Sequence, residues 1–222
     1  PQLPSNGHFN ERRTRLGPLI EQIRCWLTVQ EGLLTTTDPV RLIDSAPIFV
    51  ATYGRGGDNQ TLTGHEYFGV ASSHGAKVFG LRLDITTSHD QVIDQWMLAP
   101  ASYHDSTTMP ALVEDQNDLL LIGDGAYHNP TVEPVLHHHH QIDVLAPPRQ
   151  DSRLYAWSKA AIQTVARFRR PIESAFSVLA TVFNIEHPQA RSLHGLVSRI
   201  ATRILAYTCS FVMNNYLALL TG

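Results

Sequence analysis

Three acidic residues stand at points in the sequence where together they could hold a metal ion. Asp44 lies inside the apolar stretch RLIDSAPIFV, Asp124 ends the apolar run NDLLLIGDG, and Glu173 follows Pro171 where a helix is predicted to begin. An ionised carboxylate buried without a partner is costly, so a hydrogen-bonded group or a cation must compensate it. Two or three converging carboxylates form a hard oxygen site that suits Mg²⁺ or Mn²⁺.

Taken one at a time, each of these acids also fits an ordinary structural role. Asp44 could cap the end of a strand, Asp124 between two glycines could form a turn, and Glu173 could interact with a helix dipole. The metal-site hypothesis therefore depends on the fold bringing the three side chains together. Because unpaired acids repel one another, a metal-free structure could show them apart.

Basic residues precede Glu173 in the sequence. Arg169 stands one helical turn before it, where its planar donor fork could orient the carboxylate or clamp a phosphate. The whole chain carries a net charge of −3, yet the segment 149–170 contains six basic residues and the single acid Asp151. Such a face could bind phosphate, and the alternative is an ordinary solvated surface. The six residues are Arg149, Arg153, Lys159, Arg167, Arg169 and Arg170.

The apolar pattern predicts the elements that would position these residues. Residues 9–31 are predicted to be helical, with Pro18 as a kink or restart, and residues 39–54 to form a buried strand around Asp44. A loop is expected over 54–76 and a β-hairpin over 77–100. A short helix follows, capped by Asp105 or Ser106. His104 and Asp105 could instead approach the acidic site, although capping is the favoured interpretation.

The second half of the chain alternates strands and helices. The run that ends at Asp124 is apolar on all sides, which is typical of a strand in the middle of a covered sheet. A helix over 129–137, capped by Asn129, and a strand at IDVLAP follow. Two long helices then end the chain, and Glu173 is expected in the first turn of the earlier one. The order β, ββ, α, β, α, β, α, α predicts an α/β protein with a mixed five-stranded sheet flanked by helices.

Length and composition fit one globular domain over residues 39–222 after a helical lead-in over 1–38. With 222 residues, 43% of them hydrophobic, the chain can form a substantial core. No aliphatic run is longer than residues 119–122, so no membrane span is predicted. Two cysteines without a CxxC pair are expected to be reduced thiols, which favours the cytoplasm. The chain lacks an initiator Met, so we expect a fragment of a longer protein.

The order Asp, Asp, Glu in RLIDSAPI, LLLIGDGAYHN and RRPIESAFSVL resembles that of the DDE transposases of bacterial insertion sequences, which have an RNase H-like core. The lead-in LPSNGHFNERRTRL, the pair His104 and Asp105, and the tail RSLHGLVSRIATRILAY also resemble one group of them, the insertion sequence nine-eighty-two family. The resemblance covers almost the whole chain.

This resemblance implies an activity, cofactors and partners. Asp44, Asp124 and Glu173 would hold two Mg²⁺ or Mn²⁺ ions, one activating water or a 3′-hydroxyl and the other stabilising the leaving oxygen. Cleavage at the transposon ends and strand transfer into target DNA would then use one site. The implied partners are DNA, tracked by the basic set before Glu173, and a second copy of the chain. Residues 1–38 would be the end of a DNA-binding region.

Parts of the family pattern are missing, and two other functions stay open. Arg169 matches an Arg that related families place four residues before the catalytic Glu, but Ala166 and Ala180 replace their Tyr and Lys. One alternative is an RNase H-like nuclease that never joins strands. The other is a DNA-binding relic that has lost its catalytic activity.

Overall fold

Six strands form one mixed sheet in the computed structural model, which describes residues 5–35, 38–71, 75–148 and 157–221. β1 pairs with β3 on one side and with β5 on the other, and β6 follows β5. The β1–β5 and β5–β6 pairs are parallel, and the pairs made by β3 are antiparallel. The strands are β1 Val40–Ala51, β2 Phe68–Ala71, β3 Ala76–Thr87, β4 Ile93–Pro100, β5 Leu120–Ile122 and β6 Asp143–Leu145.

The sheet has one strand more than the sequence predicts. The expected loop over 54–76 contains β2, which pairs with the first residues of β3. Two 3₁₀ helices, Tyr53–Asp58 and His65–Tyr67, precede it. At Gly69, inside β2, an added Cβ would come within 2.1 Å of the Ala101 carbonyl oxygen. Four residues with a central glycine are too short to show the alternation by which strands are predicted.

Six α-helices accompany the sheet within the described ranges. Pro18 lies in the first turn of α2, and the break at Leu16 confirms the predicted restart. The helix predicted to begin at Asn129 starts instead at Glu133, because the Asn129 carboxamide oxygen accepts from the backbone N–H groups of Thr131 and Val132 and so closes a separate turn. The helices are α1 Asn6–Arg15, α2 Gly17–Gln30, α3 Asp105–Leu112, α4 Glu133–His140, α5 Lys159–Thr181 and α6 Leu193–Thr221.

The start predicted for α5 was also wrong. The helix begins at Lys159, where the Ser158 hydroxyl accepts from the Ala161 N–H at 3.1 Å, and it continues through Pro171. Proline removes one hydrogen bond inside a helix but is favoured at the first helical position. Pro171 was therefore predicted to mark the start of α5. Val165 is buried on the same side of the helix as Ile172, Ala175 and Leu179. Both halves of α5 therefore share one apolar face, and its packing stabilises a continuous helix through Pro171.

Two apolar clusters cover the faces of the sheet. Neighbouring residues of β1 divide between them, because side chains alternate along a strand: Leu42 joins the cluster with α5 and α6, and Ile43 the cluster with α3 and α4. Helices therefore lie on both sides of a mixed sheet. This confirms the predicted α/β class and is consistent with an RNase H-like fold.

The last helix bears on the prediction that no segment spans a membrane. α6 is, by length and composition alone, apolar enough to cross a membrane, although no span was predicted from uninterrupted aliphatic runs. Its first half contributes Leu196, Ile200, Ile204 and Tyr207 to the core. A core helix of a globular protein passes the same test of length and composition.

Candidate active site

The pairing of β1 with β5 brings Asp44 and Asp124 side by side in the sheet. Val40 lies opposite Leu120 and Leu42 opposite Ile122, which is a constant offset of 80 residues. Asp44 and Asp124 are separated by the same 80 residues, one side-chain repeat beyond the last of these pairs. Asp124 therefore follows the carboxyl end of β5 and lies beside Asp44, which is in the middle of the longer β1. Open sheets generally bind ligands outside the carboxyl ends of their strands.

Asp124 does form the turn that its flanking glycines indicate. Its Oδ1 accepts from the Ala126 N–H at 2.8 Å, and its carbonyl accepts from the Tyr127 N–H. A Cβ added at Gly123 would lie 2.9 Å from the Tyr127 ring, so close packing requires the glycine. Since the turn uses one carboxylate oxygen and no described residue donates to the other, the structural role leaves Oδ2 able to bind a ligand.

Helix α5 supplies the remaining members of the predicted site. Arg169 and Glu173 lie one turn apart, in the region where the buried Ile172 and Ala175 pack this helix against the sheet. Arg169 reaches β1 and donates from Nη2 to Asp44 Oδ2 at 2.9 Å. The sequence predicted that this guanidinium would orient Glu173 or clamp a phosphate, whereas its described carboxylate partner is Asp44.

A single cavity of about 440 Å³ joins these residues. Its lining includes Asp44, Asp124, Arg169 and Glu173, so the fold brings together all four residues predicted to be catalytic. Arg82 from β3 also lines it. Acidic residues, basic residues and apolar side chains from β2 and β3 thus surround one open space.

Burial dominates the electrostatics of Asp44. Together with the nearby carboxylates of Asp124 and Asp105, it raises the pKa of this carboxyl to about 6. The Arg169 guanidinium and the Ser45 N–H act in the opposite direction but do not offset the burial. The positive charge of Arg169 therefore does not make Asp44 as easy to ionise as an aspartate in water.

The donor set fits a divalent ion in chemistry, although the side chains do not converge tightly. Among the residues that the structure describes, no three His, Cys, Asp or Glu side chains approach closely enough to hold a metal. The carboxylates of Asp44, Asp124 and Glu173 nevertheless face one cavity, and carboxylate oxygens are the ligands that Mg²⁺ and Mn²⁺ prefer. Mutual repulsion favours such separation when no cation is present.

The predicted phosphate-binding set is only partly described. Lys159, Arg167 and Arg170 are exposed on α5, the helix that carries Glu173. Arg149 and Arg153 lie outside the described residues. The role of this basic set stays a prediction.

A polar network behind Asp44 was missed by the sequence analysis. Arg82 pairs with Asp105 and donates to the Ser45 hydroxyl at 2.6 Å, and that hydroxyl donates to Asp105 at 2.7 Å. His104, not Asp105, caps α3, since its ring nitrogen accepts from the Ser106 N–H. The capping predicted for this pair is therefore confirmed for His104 and wrong for Asp105. Asp105 instead lies beside Ser45 and Arg82, behind Asp44.

Asp84 is the second missed residue. It is fully buried in β3, where Thr108 donates to Oδ1 at 3.2 Å and Oδ2 has no hydrogen-bond partner among the described residues. Burial raises the pKa of its carboxyl to about 7, against the nearby Arg82. The same rule that singled out Asp44, an acid inside an apolar strand, would have identified Asp84 in GLRLDITT.

Comparison with known proteins agrees with this arrangement. The family model described as Transposase DDE domain matches residues 35–209, a range that contains Asp44, Asp124, Arg169 and Glu173. No curated protein and no solved structure matches the chain. Because the match extends over most of the chain, and the two acids of the sheet and the Arg and Glu of α5 line one cavity, we conclude that the chain belongs to the Transposase DDE domain family.

Proposed function

We propose that this chain is the catalytic core of an insertion-sequence transposase that cuts DNA at transposon ends and joins the cut strand to target DNA. The observation that carries the proposal is the common cavity that Asp44, Asp124 and Glu173 line, where the parallel pairing of β1 with β5 ends. Membership of a transposase family makes DNA the expected substrate. Within that family, the lead-in and tail sequences favour the nine-eighty-two group.

In this proposal the three acids have one shared task. Asp44, Asp124 and Glu173 would hold Mg²⁺ or Mn²⁺, which when bound would supply Lewis-acid activation of the attacking oxygen and charge stabilisation at the leaving oxygen. Asp124 contributes the oxygen that its turn leaves unused. Glu173 is exposed on α5 and can change rotamer to approach the other two.

Arg169 has a role before and during the reaction. In the described structure it neutralises Asp44, and its Nε is buried without a hydrogen-bond partner. When Arg169 releases Asp44, its planar guanidinium would be free to donate to the phosphate that is attacked. Lys159, Arg167 and Arg170 on the same helix would contact neighbouring phosphates, which gives affinity and salt dependence without base readout.

The test measures cleavage and strand transfer separately. We expect the chain to cut a DNA that carries the transposon end only with Mg²⁺ or Mn²⁺ present, and to join a pre-cut end with a free 3′-hydroxyl to target DNA. Asp44→Asn, Asp124→Asn and Glu173→Gln should each lower both rates by at least about 100-fold, while DNA binding in EDTA persists.

Matched controls are the exposed acids of the loop after α3, which do not line the cavity. Asp115→Asn and Glu114→Gln make the same chemical changes and should leave both rates near the wild-type values. Full activity of all three site variants would overturn the assignment. Cleavage without joining would instead identify a nuclease, and binding without either reaction a protein that has lost its catalysis.

A further inference from the structure

We propose that a second cavity, at the junction of α1 and α6, binds a phosphate of the DNA backbone. This cavity of about 650 Å³ shares no lining residue with the candidate active site. Four arginines and one acid, Glu11, are among its lining residues. The arginines are Arg13 and Arg15 of α1, Arg191 of the segment before α6, and Arg199 of α6.

The positive charge of this cavity is not balanced within the described part of the chain. None of the four arginines forms an ion pair with a described acid, although seven ion pairs occur elsewhere in those ranges. Burial lowers the pKa of Arg13, and the guanidinium of Arg199 lowers it further. Arg13 Nε is also buried without a hydrogen-bond partner. An anion with several acceptor oxygens would satisfy both the charge and the open donor.

Two sets of contacts to the backbone order the wall of this cavity. The Ser198 hydroxyl of α6 donates to the Arg13 carbonyl at 2.9 Å, which ties α1 to α6 at the cavity. Arg199 donates from Nη1 to the carbonyls of Pro188 and Gln189 at 2.6 and 2.7 Å. Its other guanidinium nitrogens donate to no described residue. Because Arg199 is fixed in this way, its side chain loses little further freedom when it binds a ligand.

Two parts of the chain supply the arginines of this cavity. Arg13 and Arg15 precede the range that matches the family, whereas Arg191 and Arg199 fall inside it. A phosphate held here would therefore contact both the lead-in and the catalytic domain. The inference rests on the proposed function in one respect, which is that DNA is the substrate.

The experiment compares two double variants that lose the same charge. Arg13→Gln with Arg191→Gln removes two arginines of the cavity, and Arg191 makes no hydrogen bond to a described residue. Arg12→Gln with Arg55→Gln is the control, since both side chains are exposed and neither lines the cavity. Binding of the full chain to fluorescein-labelled duplex DNA is followed by anisotropy in EDTA across a series of salt concentrations, and thermal melting checks folding.

We expect the cavity variant to bind DNA roughly tenfold more weakly than the control variant, which is the loss of one or two charge-assisted hydrogen bonds. Its slope of log affinity against log salt should fall by about 1 to 2, since one or two phosphate contacts are lost. Equal losses in both variants would mean a general charge effect and would overturn the inference. Unchanged binding by the cavity variant would overturn it as well.

Two further measurements separate the possible errors. If inorganic phosphate stabilises the wild type but not the cavity variant, and both double variants bind DNA equally, the site takes free phosphate and not DNA. If the wild type cuts and joins DNA while the cavity variant binds DNA as the control does, only the cavity inference fails. If the cavity variant binds DNA more weakly but the wild type neither cuts nor joins it, only the proposed function fails.

Discussion

At the scale of single residues, the acids in and near the candidate site differ in the partners that compensate their burial. Asp44 has an arginine partner and Asp124 uses one oxygen in a turn. Asp84 has a hydroxyl donor on one oxygen and, among the described residues, no partner on the other. Burial raises the pKa of Asp44 to about 6 and that of Asp84 to about 7. Ionising these buried acids therefore lowers the stability of the fold, which is common where charge serves a function.

Asp84 makes this cost measurable through pH. Its carboxyl keeps its proton to about pH 7 in the folded chain, whereas an aspartate in an unfolded chain loses it near about pH 4. The folded state therefore binds more protons in this range, and the free energy of unfolding falls as pH rises through it. Asp84→Asn, which can keep the bond from Thr108, should remove up to about 1.4 kcal/mol per pH unit of that dependence.

Urea unfolding of the metal-free protein at several pH values checks this prediction. Above about pH 7, Asp84→Asn should be more stable than the wild type, because it avoids the buried charge. The exposed Asp115→Asn serves as the control and should follow the wild-type profile. Parallel wild-type and Asp84→Asn profiles would show that Arg82 keeps Asp84 ionised in the folded state.

At the scale of elements, the sequence predicted which strands and helices exist better than where they begin. Buried apolar runs identified β1, β5 and the hairpin of β3 and β4, because their side chains face the core on one or both sides. The predicted start of α5 was wrong because Pro171 is a strong local signal for the beginning of a helix. The burial of Val165, more than one helical turn earlier, outweighs this signal. Glu173 consequently lies in the second half of a long helix, exposed beside the buried Ile172 and Ala175.

Pro171 should weaken the helix that carries Arg169 and Glu173. The ring provides no N–H for the Arg167 carbonyl, so Pro171→Ala is expected to raise the free energy of unfolding by about 1 to 3 kcal/mol. Gln163→Ala on the exposed side of the same helix is a control and should change it by less than about 0.5 kcal/mol. Denaturant unfolding measures both. A destabilised Pro171→Ala would mean that packing of the proline ring outweighs the missing hydrogen bond.

At the scale of the whole molecule, the separation of Asp44 and Asp124 in sequence became informative only through the fold. Their spacing equals the register offset of two parallel strands, and no local pattern predicts a register. The arginine cavity illustrates the same limit, since Arg13 and Arg199 meet only because α1 packs on α6. Individual side chains with unusual chemistry could be found from the sequence, whereas their neighbours across the fold could not.

The lead-in helix α2 is joined to the sheet by one buried cation. Arg24 is 1% exposed and donates to the carbonyls of Ile93 and Asp94 in β4 at 2.8 Å. Glu21 pairs with Arg24 and also accepts from the Trp96 ring N–H at 2.8 Å. These bonds satisfy the guanidinium almost completely, so its burial is compensated by partners from two parts of the chain.

Removing this cation should weaken the attachment of α2 to the sheet. Arg24→Ala leaves the Glu21 carboxylate without its partner and two strand carbonyls without their donor, so we expect a loss of about 3 to 5 kcal/mol in the free energy of unfolding. Arg12→Ala, which removes an exposed arginine of α1, should cost less than about 0.5 kcal/mol. Hydrogen exchange will show whether α2 and β4 lose protection together. A loss confined to α2, with β4 and the global stability unchanged, would mean that the sheet holds its edge without the lead-in.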